Sequence, residues 1–368
     1  MSEWQKGNLG EFINLKRGYD LPSKSRVFGE FPIISSSGIT DYHNEPKVFE
    51  GGVITGRYGT IGQVFYTDKP FHPLNTTLYV QDFKDNNKKF VYYFLKELDW
   101  EKFSDKSAVP GINRNDVHQE IVSFPPLPEQ QAIASMLSSL DVKIDLLNRQ
   151  NKTLEAMAET LFRQWFIEEA KDDWEEILIT DLFEVKDGTH DSPKQSEVGF
   201  HLITSKHIHN GQIDFDSAYL VSNIDYEKIN QRSKVEQFDI LFSMIGTLGL
   251  IYIEMNEKVD YAIKNIGLFK TSQNPKWCYF LYLWLKSSFG NEFIEENKSG
   301  STQEYISLGS LRKINFKVPN VEKIDVLNSA VDKQFNKIFA NKKQIQTLEN
   351  LRDSLLPKLM SGEIRVQH

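Results

Sequence analysis

The chain has 368 residues, with 43 Lys and Arg against 51 Asp and Glu, a formal net charge of −8. Hydrophobic residues at 40% and charged residues at 26% describe an ordinary globular composition with room for two or three domains of about 100–200 residues. A single cysteine, Cys278, excludes an intrachain disulfide and a cysteine-rich zinc site, and no apolar run approaches the ~18 residues of a membrane span. A cytoplasmic setting without a membrane role is therefore expected, and the acidic balance argues on its face against a nucleic-acid binder.

In chain order, residues 1–125 read as short apolar runs punctuated by Gly, Asn, Asp and Ser, the pattern of strands and turns with a few helices. Residues 126–170 follow, opened by Pro125-Pro126-Leu127-Pro128 and free of Pro and Gly to beyond Phe166. Ile133, Leu137, Leu140, Ile144, Leu147, Asn151, Leu154, Ala158, Leu161 and Trp165 alternate steps of four and three, which predicts one long helix with a heptad seam. Residues 171–319 repeat the first globular plan, and residues 320–368 repeat the helix. Leu327, Val331, Gln334, Ile338, Asn341, Ile345, Leu348, Arg352, Leu355 and Leu359 form the second seam, with Ser361-Gly362 as its stop.

The duplication rests on an ordered series of matches. Trp4 and Gly18 recur as Trp174 and Gly188, and the strand-like runs Phe31–Ile39 and Phe200–Ile208 correspond. Gly59-Thr60-Ile61-Gly62 recurs as Gly246-Thr247-Leu248-Gly249, Asn75 and Leu78 as Asn265 and Leu268, and Tyr92 to Lys96 as Tyr282 to Lys286. The spacing grows by 18 between Ile39/Ile208 and Gly59/Gly246, so the second copy carries extra chain from about Asn210 to Asp239. The expected fold is α+β: two similar globular domains on two long helices that pair as an antiparallel coiled coil about a pseudo-twofold axis. Asn151, Gln334, Asn341 and Arg352 then set the register of the seam or face a partner.

A search for chemistry returns no catalytic centre. The chain has no phosphate-binding G-x-x-x-x-G-K-[ST] loop, no dinucleotide G-x-G-x-x-G and no G-x-S-x-G elbow. His201, His207 and His209 cluster near a strand but lack companion ligands at metal spacing. Strand alternation places His207 and His209 on one face, a polar surface more suited to nucleic acid than to a metal. What remains is surface recognition. Arg57 and Tyr58 lie among glycines, with Thr60 beyond them, either as a tight turn or as a reading loop. Lys106, Asn113 and Arg114 occupy a basic, turn-rich segment whose counterpart holds Lys298, Thr302 and Gln303. Asn, Gln and Arg can bond base edges bidentately, whereas Ser, Thr and Lys mainly hold phosphates. Solvated loops of this composition are common and need not bind anything.

Taken together, a globular half, the Pro126-Leu127-Pro128-Glu129-Gln130-Gln131-Ala132-Ile133 entry, a long heptad helix and a second half of the same plan resemble the specificity subunit of type I restriction-modification systems. The Asp187-Gly188-Thr189-His190-x-x-Pro193 stretch and the terminal Leu359-Met360-Ser361-Gly362-Glu363-Ile364-Arg365-Val366 are similar to that family too; Pro319-Asn320-Val321-Glu322-Lys323-Ile324 departs from the fuller Pro-Leu-Pro-Glu-Gln form. The resemblance implies target recognition domains at 1–125 and 171–319, spacer helices at 126–170 and 320–368, and no catalysis in this chain. It implies an asymmetric bipartite site on double-stranded DNA, with the helices as a ruler for the unread spacer. It also implies docking of two modification subunits that use S-adenosylmethionine to methylate adenine, and of motor-nuclease restriction subunits that use ATP and Mg. The alternative from the residues alone is a protein-interaction scaffold, two adaptor domains on a coiled coil with no DNA role.

With the helices set aside, the globular parts remain net acidic, so a basic footprint has to be local. The candidate DNA contacts are Lys16, Arg17, Lys24, Arg26, Arg57, Tyr58, Thr60, Lys106, Asn113 and Arg114 in the first copy. In the second they are Lys186, His190, Lys206, His207, His209, Thr247, Lys298, Thr302 and Gln303. Phosphate neutralisation shared with partners would make the chain a weak DNA binder alone and a specific one in its complex.

Overall fold

In a computed structural model, the described residues are 3–104, 110–318 and 321–366. They divide into two compact units, 1–146 with 345–368, and 147–344. The two long helices are α1, Leu127–Arg163, and α3, Val321–Met360, with the shorter α2, Asn223–Ser233, between them in sequence. A π-helical turn over Gln164–Glu168 follows α1. Pro357 lies within the last turn of α3, where it removes one i to i−4 hydrogen bond near the helix end, and Gly362, at φ +76°, closes the helix.

The first unit contains a four-stranded antiparallel sheet in the order Asn14–Arg17, Thr77–Asp82, Gly52–Gly56, Val64–Thr67. Beside it stands a three-stranded sheet, Gly38–His43, Phe31–Ser35, His72–Pro73, whose last pair is parallel. A two-stranded ribbon, Gln5–Asn8 with Ile121–Phe124, ties the start of the domain to its end. The core joins Leu9, Ile13, Phe90, Val122 and Phe124 to Ile133 and Leu137 of α1 and to Leu356 and Leu359 of α3. The domain is thus built onto its own helix pair, and the apolar stripes of the helices are covered by the domain as well as by each other.

The second unit repeats this plan. Its four-stranded sheet runs Val185–Asp187, Ile266–Phe269, Ile240–Ser243, Ile251–Ile253. The three-stranded sheet is Leu220–Val221, Phe200–Ile203, Tyr261–Ile263, again with a parallel last pair, and the ribbon is Glu175–Leu178 with Asn315–Val318. Its core joins Phe242, Phe269, Trp277, Phe280 and Phe316 to Ala158 and Phe162 of α1 and to Ile324, Leu327 and Val331 of α3. An α+β fold of two repeated domains with long antiparallel helices is what the duplication predicts.

Every seam position, from Ile133, Leu137, Leu140, Ile144, Leu147, Leu154 and Leu161 to Leu327, Val331, Ile338, Ile345, Leu348 and Leu355, is buried or half-buried. Three of the four polar seam members, Asn151, Asn341 and Arg352, find polar partners on the facing helix. Asn341, fully buried, donates its amide to Gln150 Oε1 at 2.9 Å and to Asn151 Oδ1 at 2.8 Å. In the first unit Arg352 reaches Asp141. Arg365 also reaches Glu129 in the first unit and Lys323 reaches Glu169 in the second, so the pairing runs antiparallel within each; the polar contacts specify register because a slip would strand each polar group against carbon.

Three local expectations are corrected. The strand-like run Phe31–Ile39 is two strands, because Ser35 Oγ accepts from Ser37 N–H and Gly38 takes φ +101°, turning the chain back on itself. In the second copy the strand stops at Ile203 and a 3₁₀ turn, Ser205–His207, intervenes; Thr204 N–H donates to His207 Nδ1 at 2.9 Å. His207 and His209 therefore share no strand face: His207 is buried and His209 exposed. The extra chain of the second copy also starts earlier than Asn210. Strand Phe31–Ser35 finds its antiparallel neighbour two residues later, whereas Phe200–Ile203 finds its own only at Leu220–Val221. Between them lies a hairpin turned by Asn210-Gly211, both at positive φ, whose Gly211 carbonyl accepts from Lys342 Nζ of α3 at 2.6 Å. Helix α2 follows, capped by Ser222.

Candidate nucleic-acid interface

Six of the first copy's candidates converge. Lys16, Arg17, Arg57, Tyr58, Asn113 and Arg114 line one open cleft of about 530 Å³. The strand Asn14–Arg17 supplies the first two, the turn after Gly52–Gly56 supplies the next two, and the segment leading into the short helix Arg114–His118 supplies the rest. Arg57 Nε donates to the Ile112 carbonyl at 3.1 Å, its guanidinium lies 4.4 Å from the Tyr58 ring centroid, and Tyr58 pairs with Gly111. A Cβ on Gly111 would sit 2.2 Å from the Tyr58 ring, so this glycine is required for the loops to meet. The Gly59 and Gly62 turn, at φ +77° and +79°, reappears at Gly246 and Gly249, at +80° and +76°. The glycines of both copies thus serve backbone geometry, and the side chains around them are free to differ.

After the first strand of each four-stranded sheet the two copies build the same turn with different side chains. In the first, Asp20 accepts from the Asn75 amide and lies 3.4 Å from Arg17. In the second, His190 Nδ1 bonds Asn265 Oδ1 at 2.7 Å and its Nε2 lies 2.9 Å from Asp187. Gly18 and Gly188 stand at the bend, where a Cβ would lie 2.1 Å from the Leu74 carbonyl and 2.5 Å from that of Ile263. Arg17 therefore corresponds to Asp187, and Asp20 to His190. Asp187 is buried, its side chain 5% exposed, and it also receives Arg232 of α2. Thr189, Asp191, Ser192, Pro193, Lys228 and Arg232 line a second cleft of about 330 Å³.

The other candidates scatter. Lys24 and Thr60 are exposed outside the first cleft, and Arg26 is engaged with Asp41 at 3.3 Å, pinning its loop to a strand. Asp41 is held below the usual carboxylate range by the Tyr42 N–H and by Arg26. Lys186 pairs with Glu184 at 3.0 Å and Lys298 with Glu295 at 2.7 Å, so both are structural ion pairs first. Lys206, His209, Thr247, Thr302 and Gln303 are exposed, and Lys106 lies outside the described residues. His207 is corrected as a DNA contact: its ring is fully buried, caps its own turn, and burial lowers its pKa, so it presents no surface to a ligand. Lys228 and Arg232 were missed because they sit in the extra segment, which has no counterpart to compare. Among the described residues no group of three His, Cys, Asp or Glu could hold a metal ion, and no helix is long and apolar enough to cross a membrane.

Comparison with known proteins agrees with this duplicated plan. A family model described as "Type I restriction modification DNA specificity domain" matches residues 1–156 and again 171–350. The type I restriction enzyme MjaIX specificity subunit of Methanocaldococcus jannaschii is 26% identical over 312 residues, covering 76% of this chain and 69% of that protein. The MjaVIII specificity subunit of the same organism is 21% identical over 404 residues, covering 100% and 94%. Both relatives are specificity subunits, the non-catalytic members of such systems. In fold, the chain is similar to the S subunit of the type I restriction-modification system from M. genitalium, with a TM-score of 0.62 at 19% identity over 97% of this chain and 96% of that one. Matched once by each of its two repeats, the chain belongs to the type I restriction-modification DNA specificity family.

Proposed function

We propose that the chain reads an asymmetric bipartite site on double-stranded DNA and docks the modification and restriction subunits that act there. The observation that carries this is the pair of corresponding turns, one in each domain, that hold different side chains. Both rest on the same glycine bend and the same Asn75/Asn265 anchor, yet Arg17 and Asp20 in one become Asp187 and His190 in the other. A shared scaffold with different lining side chains supports two half-sites of different sequence, because discrimination between bases depends on which donors and acceptors face the groove.

The first cleft holds Lys16, Arg17, Arg57 and Arg114 against one acid, Asp20, although the whole chain is net negative. Such a local footprint suits register on phosphates plus a few base contacts, with most counterion release left to partners. S-adenosylmethionine then belongs to two modification subunits, and ATP and Mg to the restriction subunits; this chain supplies neither chemistry. The test is reconstitution with a modification subunit of its own system, followed by mapping of methylated adenines across a genome. The expected result is a consensus of two short, unlike half-sites separated by an unread spacer. Methylation scattered without such a consensus, or a complex that forms and leaves DNA untouched, overturns the reading in favour of a scaffold.

A further inference from the structure

The second domain's cleft contains a guanidinium that its strand does not provide. In the first domain Arg17 arrives on the strand Asn14–Arg17, its side chain 50% exposed, and lines the cleft directly. The corresponding strand of the second domain ends in Asp187, a carboxylate 5% exposed. Arg232 comes to it from α2, in the segment that sets the second copy apart; the first domain's chain from Asn44 to Gly51 forms no helix. Arg232 bonds Asp187 Oδ1 while His190 holds Oδ2, and the arginine side chain remains 58% exposed in the cleft it lines.

From this geometry we infer that Arg232 is a DNA-reading residue of the second domain, held in position by Asp187 and delivered by α2 in place of the Arg17 of the first. The inference rests on the proposed DNA-reading function and names a contact within it. Helix α2 is fixed on its inner side, where Tyr226 stacks on Phe200 at 3.8 Å between centroids and Ile229 is buried. Its outer side carries Lys228, 71% exposed, beside Arg232 one turn on. The acids of the cleft are engaged: Asp191 faces Lys228 at 3.4 Å, Asp225 accepts from Ser222 Oγ at 2.8 Å, and Asp187 is shared by Arg232 and His190. Lys264 adds a third cation, donating to Ser192 Oγ at 2.6 Å. A guanidinium anchored through one nitrogen on a buried carboxylate keeps its planar fork oriented, the form suited to a guanine edge or a phosphate pair.

The competing account is that Arg232 only neutralises Asp187. The experiment separates the two with the reconstituted methyltransferase complex, scored on substrates varied in each half-site. Arg232→Ala should weaken methylation by about ten-fold or more through one half-site only, and Arg17→Ala through the other. The double variant Asp187→Asn with Arg232→Ala removes the charge that would need neutralising, which guards against misfolding, and it should melt near wild type yet stay defective at that same half-site. Recovery of wild-type methylation in the double variant overturns the inference, as does a loss in Arg232→Ala at the half-site that Arg17 reads. A wild-type complex with no bipartite preference overturns the functional reading itself, and this inference with it.

Discussion

Arg352 of α3 donates from Nη1 to Asp141 Oδ1 of α1 at 2.9 Å, from a seam position where a heptad ordinarily places carbon. The pair is part of a small network: Tyr93 OH donates to Asp141 Oδ2 at 2.5 Å, and Arg352 Nε reaches Asp353 at 2.8 Å. The repeat shows what this replaces. Phe335 and Ala158 occupy the corresponding positions in the second unit, and Phe335 stacks on Tyr279 at 4.3 Å between centroids. The second unit thus packs this position of α3 on an aromatic ring of its globular domain, whereas the first joins α3 to α1 by a charge-assisted hydrogen bond. The side chains of Arg352 and Asp141 are 19% and 30% exposed, so removing either leaves the other charge with one partner fewer and little water to replace it. Arg352→Ala and Asp141→Ala should each cost about 1.5–3 kcal/mol in urea unfolding. The double variant should cost clearly less than their sum, and additive losses would show that the two side chains do not work as a pair.

Acid should weaken the fold before carboxylates titrate. Burial lowers the pKa of His72, His118 and His207. His118 Nε2 accepts the Leu15 N–H at 2.9 Å, so the folded chain needs this ring neutral. Above about pH 6.5 these rings are neutral folded and unfolded, and their contribution is fully present. As pH falls from there through the depressed folded values, the unfolded chain binds protons first and stability is lost. Asp239 and Glu254, raised by burial, act in the opposite direction. The clean measurement is therefore the change in urea midpoint between about pH 7.5 and about pH 5.5, compared with His118→Gln. The variant should lose less stability than wild type over that interval, and an equal loss removes His118 from the account.

The repeat and the helix seams were legible because each follows from a periodicity that burial enforces. Leu137 or Val331 cannot leave its stripe without exposing it, so steps of four and three survive in the sequence. The glycines were legible for a related reason: Gly59, Gly62, Gly246 and Gly249 occupy positive φ, where a side chain is strained. Arg232 was not legible. It is 45 positions from Asp187, and nothing local to either residue announces the ion pair; it depends on where the extra segment returns to the sheet. His207 was misplaced because period-two alternation assumes an unbroken strand, and Thr204 breaks it with a cap. The boundary of the extra chain was misplaced for the same reason, since Ile208 matches Ile39 in sequence but not in sheet partner.

Cys278 begins a helix that is apolar on every side, and it is 1% exposed. Burial pushes its thiol up to about 12, so the thiolate that would react is scarce at neutral pH and shielded as well. An aromatic disulfide reagent should therefore leave the native protein unlabelled and modify one thiol per chain at a rate set by unfolding. Labelling that is fast in native buffer and insensitive to stabilising conditions would place Cys278 at an open surface instead.

Arg57 separates the structural and reading roles of the first cleft most directly. Its Nε holds the Ile112 carbonyl, and its plane lies against Tyr58, so the residue joins the two loops that form one wall. The second copy has Met244 at the corresponding position, buried in the core, so no shared function can depend on this arginine. Arg57→Ala removes one backbone hydrogen bond, worth about 1 kcal/mol of stability. In the reconstituted complex it should also relax base preference in one half-site, the one that responds to Arg17→Ala, by about ten-fold. Arg57→Lys keeps the charge but not the fork, so it should preserve most of the salt-dependent affinity while base preference stays relaxed. A uniform fall across all sequences would assign Arg57 to phosphate, and an equal response of both half-sites would make it a structural residue.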